Sequence, residues 1–467
     1  MGAGGIVIAA VDAVARESML FAAIGFLIGG LDDFAIDGVF LAVWARRRLR
    51  RVDIGDGFVA DYPVKATPRC FAVFVPAWDE APVIGAMLRT TLARYESIDY
   101  RLYVGTYPND RPTIDAVAAV AETDGRVRLV IGQDDGPTTK ADCLNTLWHA
   151  LKRDEAAGSR QAAAIVQHDA EDVVHPQELR IYDALLDRYS VVQLPVLPLI
   201  DRRARLVSGH YADEFAEAHA KNLLVRQALG AGIPLAGVGC CIARETLETL
   251  SQASEGKPFD SGSITEDYEL GLTLSRLGAD SVIARVRERA GGPLVAVRAY
   301  FPSTVATSVR QKARWMTGIA LAGWDRIGWA PAHDLAEHWM RMRDRRAPFA
   351  VLILAVAYIA LVVSAGSALA HWIAATPRPR ISGTTARLLE VNAALLIWRM
   401  MMRVAFTTRD YGWIEGLWSL PRALVGNFIA LVAVRRAVWH YARLLRGADL
   451  HWDKTAHVFP EASALET

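Results

Sequence analysis

Two rhythms of apolar residues divide this chain. Long, nearly unbroken apolar stretches lie toward both ends, and between them short apolar runs alternate with amphipathic ones. The first long stretch runs from about Met19 to Trp44 and is followed at once by Arg46, Arg47, Arg48, Leu49, Arg50 and Arg51. Such a basic flank belongs on the cytoplasmic side of a membrane span, so this helix is expected to run from outside to inside. A cleaved signal peptide would carry its basic residues before the apolar core, not after it, and is not expected here. Asp32, Asp33 and Asp37 interrupt the stretch. Ionised carboxylates facing lipid would each cost roughly a few kcal/mol, so these three are expected to face protein or water, or to mark a break in the helix.

A second span is expected at Ala350 to Ala370, leaving the cytoplasmic side after Arg341, Arg343, Arg345 and Arg346. A third, Leu388 to Phe406, carries Arg399, Arg403 and Arg409 toward its far end and should return inside. The last apolar run, Ala423 to Val434, has about 12 residues between Arg422 and the pair Arg435/Arg436, a length suited to a re-entrant or interfacial helix. The pattern thus predicts three spans and an interfacial helix, with the tail and the section from Val52 to Arg346 in the cytosol. A fourth true span is the alternative and would place the C-terminus outside. The division expected is a transmembrane segment over 1–51, a cytoplasmic domain over 52–335, and membrane helices, the interfacial helix and a short cytoplasmic tail over 336–467.

Between the spans the runs are short and rich in β-branched residues: Cys70 to Pro76, Tyr100 to Thr106, Val127 to Ile131 and Ala163 to Gln167. Helical patterns separate them at Val83 to Tyr95, Thr113 to Glu122 and Ala141 to Leu151. This alternation predicts an α/β fold with a mostly parallel sheet between helices. Ligands of such sheets sit beyond the carboxyl ends of the strands, which directs attention to the residues just after each run.

Composition changes this picture little. An apolar content of 52% with mean hydropathy +0.18 agrees with membrane helices, and a net charge of +1 gives no global field that would favour nucleic acid. Cys70, Cys143, Cys240 and Cys241 lack zinc-type spacing, and the neighbouring pair is unsuited to a disulfide, so a reducing setting is expected.

The strand ends carry acids. After the first run comes Pro76-Ala77-Trp78-Asp79-Glu80, and after the second Tyr107-Pro108-Asn109-Asp110; taken alone, both read as ordinary caps and turns. After the fourth comes His168-Asp169-Ala170-Glu171-Asp172. Carboxylates that crowded repel one another unless they share a cation, and hard oxygen ligands suit Mg²⁺ or Mn²⁺ bridging to phosphate. Thr265-Glu266-Asp267 precedes an amphipathic helix at Tyr268 to Leu277, where capping is the plain alternative. Gln311-Lys312-Ala313-Arg314-Trp315 lies just before the membrane; Arg314 suits phosphate and Trp315 a sugar face, although an interfacial anchor would use the same pair.

In this order the motifs resemble processive family 2 glycosyltransferases, such as cellulose and hyaluronan synthases. The likeness is nearer to inner-membrane glycosyltransferases of the bacteriophage N4 adsorption protein B type, through Leu31-Asp32-Asp33, the Gln311 motif continuing Met316-Thr317-Gly318-Ile319, and Trp452-Asp453-Lys454-Thr455. The resemblance implies a GT-A fold and a nucleotide-sugar pocket lined by Ala77, Trp78, Glu80, Asp110, Lys140 and Asp169, with Asn145 supporting the Lys140 loop. It implies that Asp169 and Glu171 hold the donor diphosphate through Mg²⁺ or Mn²⁺, that Asp267 is the catalytic base, and that Glu266, Gln311, Arg314 and Trp315 meet diphosphate and acceptor. Glu171 departs from the usual Asp of that motif. Longer relatives carry a further domain linked to cyclic di-GMP control, and such regulation is not expected here.

The implied activity is inverting transfer, in a bacterial inner membrane, from a nucleotide sugar such as a UDP-sugar to a glycan or lipid acceptor. The resemblance also implies processive synthesis coupled to export with an outer-membrane partner. The rival expectation is a non-catalytic receptor or scaffold for phage adsorption that retains the fold; a transporter is disfavoured because the few spans leave no room for paired repeats.

Overall fold

The computed structural model describes residues 3–50, 56–95, 98–447 and 457–460. In chain order, helix α1 (Ala3–Arg50) and strand β1 (Asp56–Phe58) precede β2 (Phe71–Pro76), α2 (Ala81–Arg94), β3 (Tyr100–Thr106), α3 (Arg111–Ala121), β4 (Val127–Ile131), α4 (Lys140–Ala156), β5 (Ala164–Gln167) and α5 (Glu178–Leu185). There follow β6 (Val191–Gln193), β7 (Val196–Leu199), α6 (Arg205–Glu217), α7 (Leu223–Leu229), β8 (Cys240–Ala243), α8 (Arg244–Ala253) and α9 (Glu266–Arg276). The chain continues through β9 (Ser281–Ile283), β10 (Arg285–Arg287), β11 (Val297–Tyr300), α10 (Val305–Trp315), α11 (Gly323–Ile327) and α12 (Leu335–Arg345), and the described helices end with α13 (Ala347–Ile373), α14 (Gly383–Tyr411) and α15 (Trp413–Leu444).

The central sheet has seven strands in the order β4-β3-β2-β5-β8-β6-β9. β4, β3, β2 and β5 are parallel, as the α/β alternation predicts, and β8 pairs antiparallel with both β5 and β6. Period-two alternation sends Phe71, Val73 and Val75 of β2 into one apolar layer and Ala72 and Phe74 into the other, so the sheet is buried on both faces. The four cysteines are buried and unbridged.

Among the described residues, three helices are long and apolar enough to cross a membrane: 4–49, 347–373 and 413–444. α1 is continuous despite its acids, because each acid meets a partner. Arg346 and Trp339 donate to Asp32 at 2.5 and 2.6 Å, and Arg343 reaches Asp33 at 3.0 Å. Lys221 stands 2.5 Å from both Asp37 and Glu217, with Trp398 donating to Asp37 at 2.8 Å.

α13 runs antiparallel to α1, and a second polar latch closes its other end, where Ser367 and His371 meet Asp12 at 2.5 and 3.0 Å. From Asp12 to Asp32 is 20 residues of helix, about 30 Å, which is the thickness of a hydrocarbon core. α14 runs parallel to α1, with Asn392 donating to Ala23 at 2.8 Å and Arg399 reaching Glu217 at 2.9 Å. The helix around Leu388 to Phe406 is thus present, but it is not among the three that qualify by length and apolarity.

The expected short helix at Ala423 to Val434 is instead the middle of the 32-residue α15. Arg422 lies within that helix, its charge answered by Asp213 at 3.1 Å and by Glu415. Both ends of α15 are tied to the sheet domain, Glu415 to Arg205 and Tyr441 to Asp325, while Ile429, Ala433 and Ala437 pack with Val309 and Ala313 of α10.

Candidate active site

The carboxyl ends of β2 and β5 and the starts of α4 and α9 converge on one cavity of about 2090 Å³, closed on its other side by α10 and α15. Its wall includes Glu80, Lys140, Asp169, Glu171, Glu266, Asp267, Gln311, Arg314, Trp315 and His457. Nine of these ten were candidates from sequence; His457 was not.

The Asp169 turn is braced from beneath. Its backbone N–H donates to Asp172 at 2.9 Å, and buried His168 stands 3.1 Å from Asp172 and 2.7 Å from Glu178. Lys140 is the first residue of α4, whose start is capped by the Thr139 hydroxyl accepting from Asp142 N–H at 3.2 Å. That placement brings the Lys140 ammonium to 2.6 Å from Asp169 and 3.9 Å from Glu266. Burial works against its charge, yet Asp169, Glu266 and Asp267 outweigh that and raise its pKa.

Glu171 turns the other way. His457 lies between two carboxylates, its Nδ1 2.8 Å from Glu80 Oε1 and its Nε2 3.3 Å from Glu171 Oε1. The ligand atoms of Glu80, Glu171 and His457 all lie within 4.8 Å of one another. Burial, with Asp169, Asp172 and Glu80 nearby, pushes the Glu171 carboxyl up to about 8. Glu171 Oε2 is buried and has no hydrogen-bond partner among the described residues. Two carboxylates, one of them with a buried oxygen left unanswered, and an imidazole fit a divalent cation, and the nitrogen ligand suits Mn²⁺ better than Mg²⁺. Of the metal pair expected from sequence, Glu171 stands in this triad while Asp169 engages Lys140.

Glu266 and Asp267 open α9. Burial, then the neighbouring Asp267, pushes Glu266 up to about 7, and burial likewise raises Asp267. Asp267 Oδ1 accepts from Tyr268 N–H at 2.8 Å. Against its other oxygen lies Gly237 at φ +74°, where a Cβ would come within 2.7 Å of Oδ2. Gln311 and Arg314 share a face of α10 one turn apart. Trp315 joins an aromatic cluster, with ring centroids 5.9 Å from Tyr211 and 6.1 Å from Phe215.

Four expected positions fall outside the wall. Ala77 is fully buried, and Trp78 packs edge-on to Tyr107 with centroids 5.2 Å apart. Asp110 caps α3 and accepts the Asp79 N–H at 2.6 Å, bracing the turn that carries Glu80. Asn145 does not hold the Lys140 loop; it clamps Phe259, donating to its carbonyl at 2.7 Å and accepting its N–H at 3.0 Å. Trp452, Asp453, Lys454 and Thr455 lie outside the described residues. They precede His457 so closely that a histidine just beyond that motif was the available signal for it.

A mixed sheet with acids at its parallel strand ends and a helix bearing Gln311 and Arg314 over them is an arrangement of the GT-A fold. Among proteins of known structure, the fold is similar to that of a mannosyltransferase from Pyrobaculum calidifontis, PcManGT, in complex with GDP-Man and Mn²⁺. It superposes with a TM-score of 0.53 at 18% identity over 92% of this chain and 99% of its own. Residues 68–318 match the family model described as glycosyltransferase like family 2, and the chain belongs to that family. It is 34% identical over 94% of its length to bacteriophage adsorption protein B of Escherichia coli K12, and equally to bacteriophage N4 adsorption protein B of Escherichia coli O157:H7. The chain spans 62% of the length of these relatives.

Proposed function

We propose that this protein transfers a sugar, with inversion, from a nucleoside-diphosphate sugar to an acceptor hydroxyl at the cytoplasmic face of a bacterial inner membrane. The observation that carries the reading is one cavity bordered by Asp169 and Glu171 of the loop after β5, Asp267 of α9 and Arg314 of α10. α1, α13 and α14 are read as spans, and α15 as a helix lying along the membrane surface, since both its ends return to the catalytic domain.

In this reading Asp267, its pKa raised by burial, accepts the proton of the attacking hydroxyl. Arg314 offers its fork of donors to the departing diphosphate. Lys140 holds Asp169 in place beside the donor. Glu80, Glu171 and His457 would hold Mn²⁺ or Mg²⁺, which when bound neutralises charge on the diphosphate. Ala77, Trp78 and Asp110 support the nucleotide side by shaping the turn around Asp79. The nucleotide is proposed as UDP or GDP, the latter because the neighbouring mannosyltransferase carries GDP-Man.

The test is incubation of purified protein with a panel of labelled nucleotide sugars and Mn²⁺. Donor-dependent release of nucleoside diphosphate supports the enzyme, and no release from any donor across added acceptors favours the scaffold reading suggested by the relatives' name.

A further inference from the structure

Two segments that border the cavity from different elements meet at one close contact. Thr265 lies two residues before Asp267, and Gly318 lies four residues, about one helical turn, after Arg314. A Cβ built at Gly318 would fall 2.5 Å from Thr265 Oγ1, 2.6 Å from its Cγ2 and 3.0 Å from its Cβ. The backbone of one segment is therefore seated directly on the side chain of the other.

Thr265 stands at the N-cap position of α9, where a threonine hydroxyl ordinarily accepts an N–H from the first turn. It makes no such bond. The residue is buried, and its hydroxyl has no hydrogen-bond partner among the described residues. Capping thus does not account for this threonine, and its side chain packs onto Gly318 instead. On the other side of the contact the chain leaves the α-helical path: Met316–Ala322 winds as a π-helix, with the Gly323 N–H donating to the Gly318 carbonyl five residues back. Such wide turns inside helices occur frequently at functional sites. This one is backed by α15, since the Thr317 hydroxyl donates to the Ala313 carbonyl at 2.8 Å and lies 3.4 Å from the Ala437 carbonyl, while Met316 and Leu321 pack in the cluster of Ile429 and Ala433. Thr265 therefore rests on a supported surface.

We propose that Thr265 and Gly318 are positioning residues, whose contact sets the separation between Asp267 and Arg314 and so holds the base in line with the departing diphosphate. This rests on the transferase reading, in which acceptor and leaving group occupy opposite faces of one sugar carbon. Neither residue supplies a group to the reaction; each acts through the motif it adjoins. A methyl added at Gly318 would have to withdraw from 2.6 Å to the about 3.5–4.0 Å of ordinary carbon contact, parting the two motifs by roughly 1 Å. Displacement on that scale costs about 10²-fold in rate.

The test uses the full chain in detergent, with the donor that gives the fastest nucleoside diphosphate release. Gly318→Ala should lose about a hundredfold in kcat, while KM for the donor and the affinities for UDP and GDP, read by calorimetry, stay within about twofold. Thr265→Ala, which empties the contact, should lose kcat about tenfold, and Thr265→Val, which keeps its shape, should lie closer to wild type. In Gly318→Ala/Thr265→Ala the new methyl enters the space the threonine vacates, so kcat should recover by about tenfold over Gly318→Ala. A double variant no faster than Gly318→Ala overturns the proposal. So does a lowered Tm with unchanged kcat in either single variant, which would mark a packing contact alone. Should Gly318→Ala fail to fold, the Thr265 variants decide, and equal kcat in Thr265→Ala and wild type overturns the proposal. Absence of turnover in wild type with every donor would remove the transferase reading and this inference with it, whereas an active wild type with unaffected variants removes the inference alone.

Discussion

His457 Nδ1 lies 2.8 Å from Glu80 Oε1, although 377 residues separate them in the chain. The contact joins the end of the described chain to the first strand-end turn of the sheet, and it fixes which carboxylates a cation would meet.

Replacing His457 by Ala removes the nitrogen ligand. Mn²⁺ affinity should fall at least tenfold or so, since even the loss of a supporting partner costs about 10–100-fold. Titration calorimetry or the Mn²⁺ paramagnetic resonance signal measures it. EDTA should abolish activity and Mn²⁺ restore it; indifference to chelator would remove the metal role of Glu171.

Asp267→Asn keeps shape and removes the base. Turnover should drop by about 10²–10⁴-fold while donor binding persists. Burial raises the Asp267 pKa, and a base acts only when deprotonated, so the acid limb of the wild-type pH–rate profile should fall above the ordinary aspartate range. Near-normal turnover in the variant would assign the base elsewhere.

Gly237 leaves room for that carboxylate. Gly237→Ala adds a Cβ 2.7 Å from Asp267 Oδ2 at φ +74°, which costs about 1–3 kcal/mol in backbone strain and displaces the base. The variant should fold, show a lowered Tm, and lose kcat more than it gains in KM. Unchanged kcat would mean that Asp267 tolerates displacement.

Asp37 neutralises Lys221, which is 1% exposed. Asp37→Ala leaves the buried ammonium with Glu217 as its remaining carboxylate, so the loss should fall below about 3–5 kcal/mol, the cost of a fully broken buried pair. Thermal unfolding in detergent should shift down accordingly, whereas Asp37→Ala/Lys221→Met should recover much of the loss.

Much of this was legible in the residues. Tyr100 to Thr106 and Val127 to Ile131 form the strands that their β-branched runs predict, because the pattern of burial on two faces is written locally. The acids of α1 were expected to face protein or water, or to break the helix, and the first alternative holds, since a charge in an apolar stretch has few places to go. The candidates Asp169, Glu171, Asp267 and Arg314 stand at strand and helix ends, where chemistry on a parallel sheet collects.

Other features needed the folded chain. Cys240–Ala243 reads as a short apolar run like the others, and nothing local says that it enters antiparallel between β5 and β6. Arg422 sits inside the 32-residue α15, where Asp213, 209 positions away, answers its charge. Asp110 and Asn145 were polar residues near the right motifs, yet one supports a turn and the other clamps Phe259. His457 met Glu80 and Glu171 only once the tail had returned to the sheet. Sequence therefore determined which segments are strands, helices or apolar stretches, since periodicity and burial act over a few residues. Which distant side chains share a site was decided by tertiary structure alone, because separation along a chain places almost no limit on separation in space.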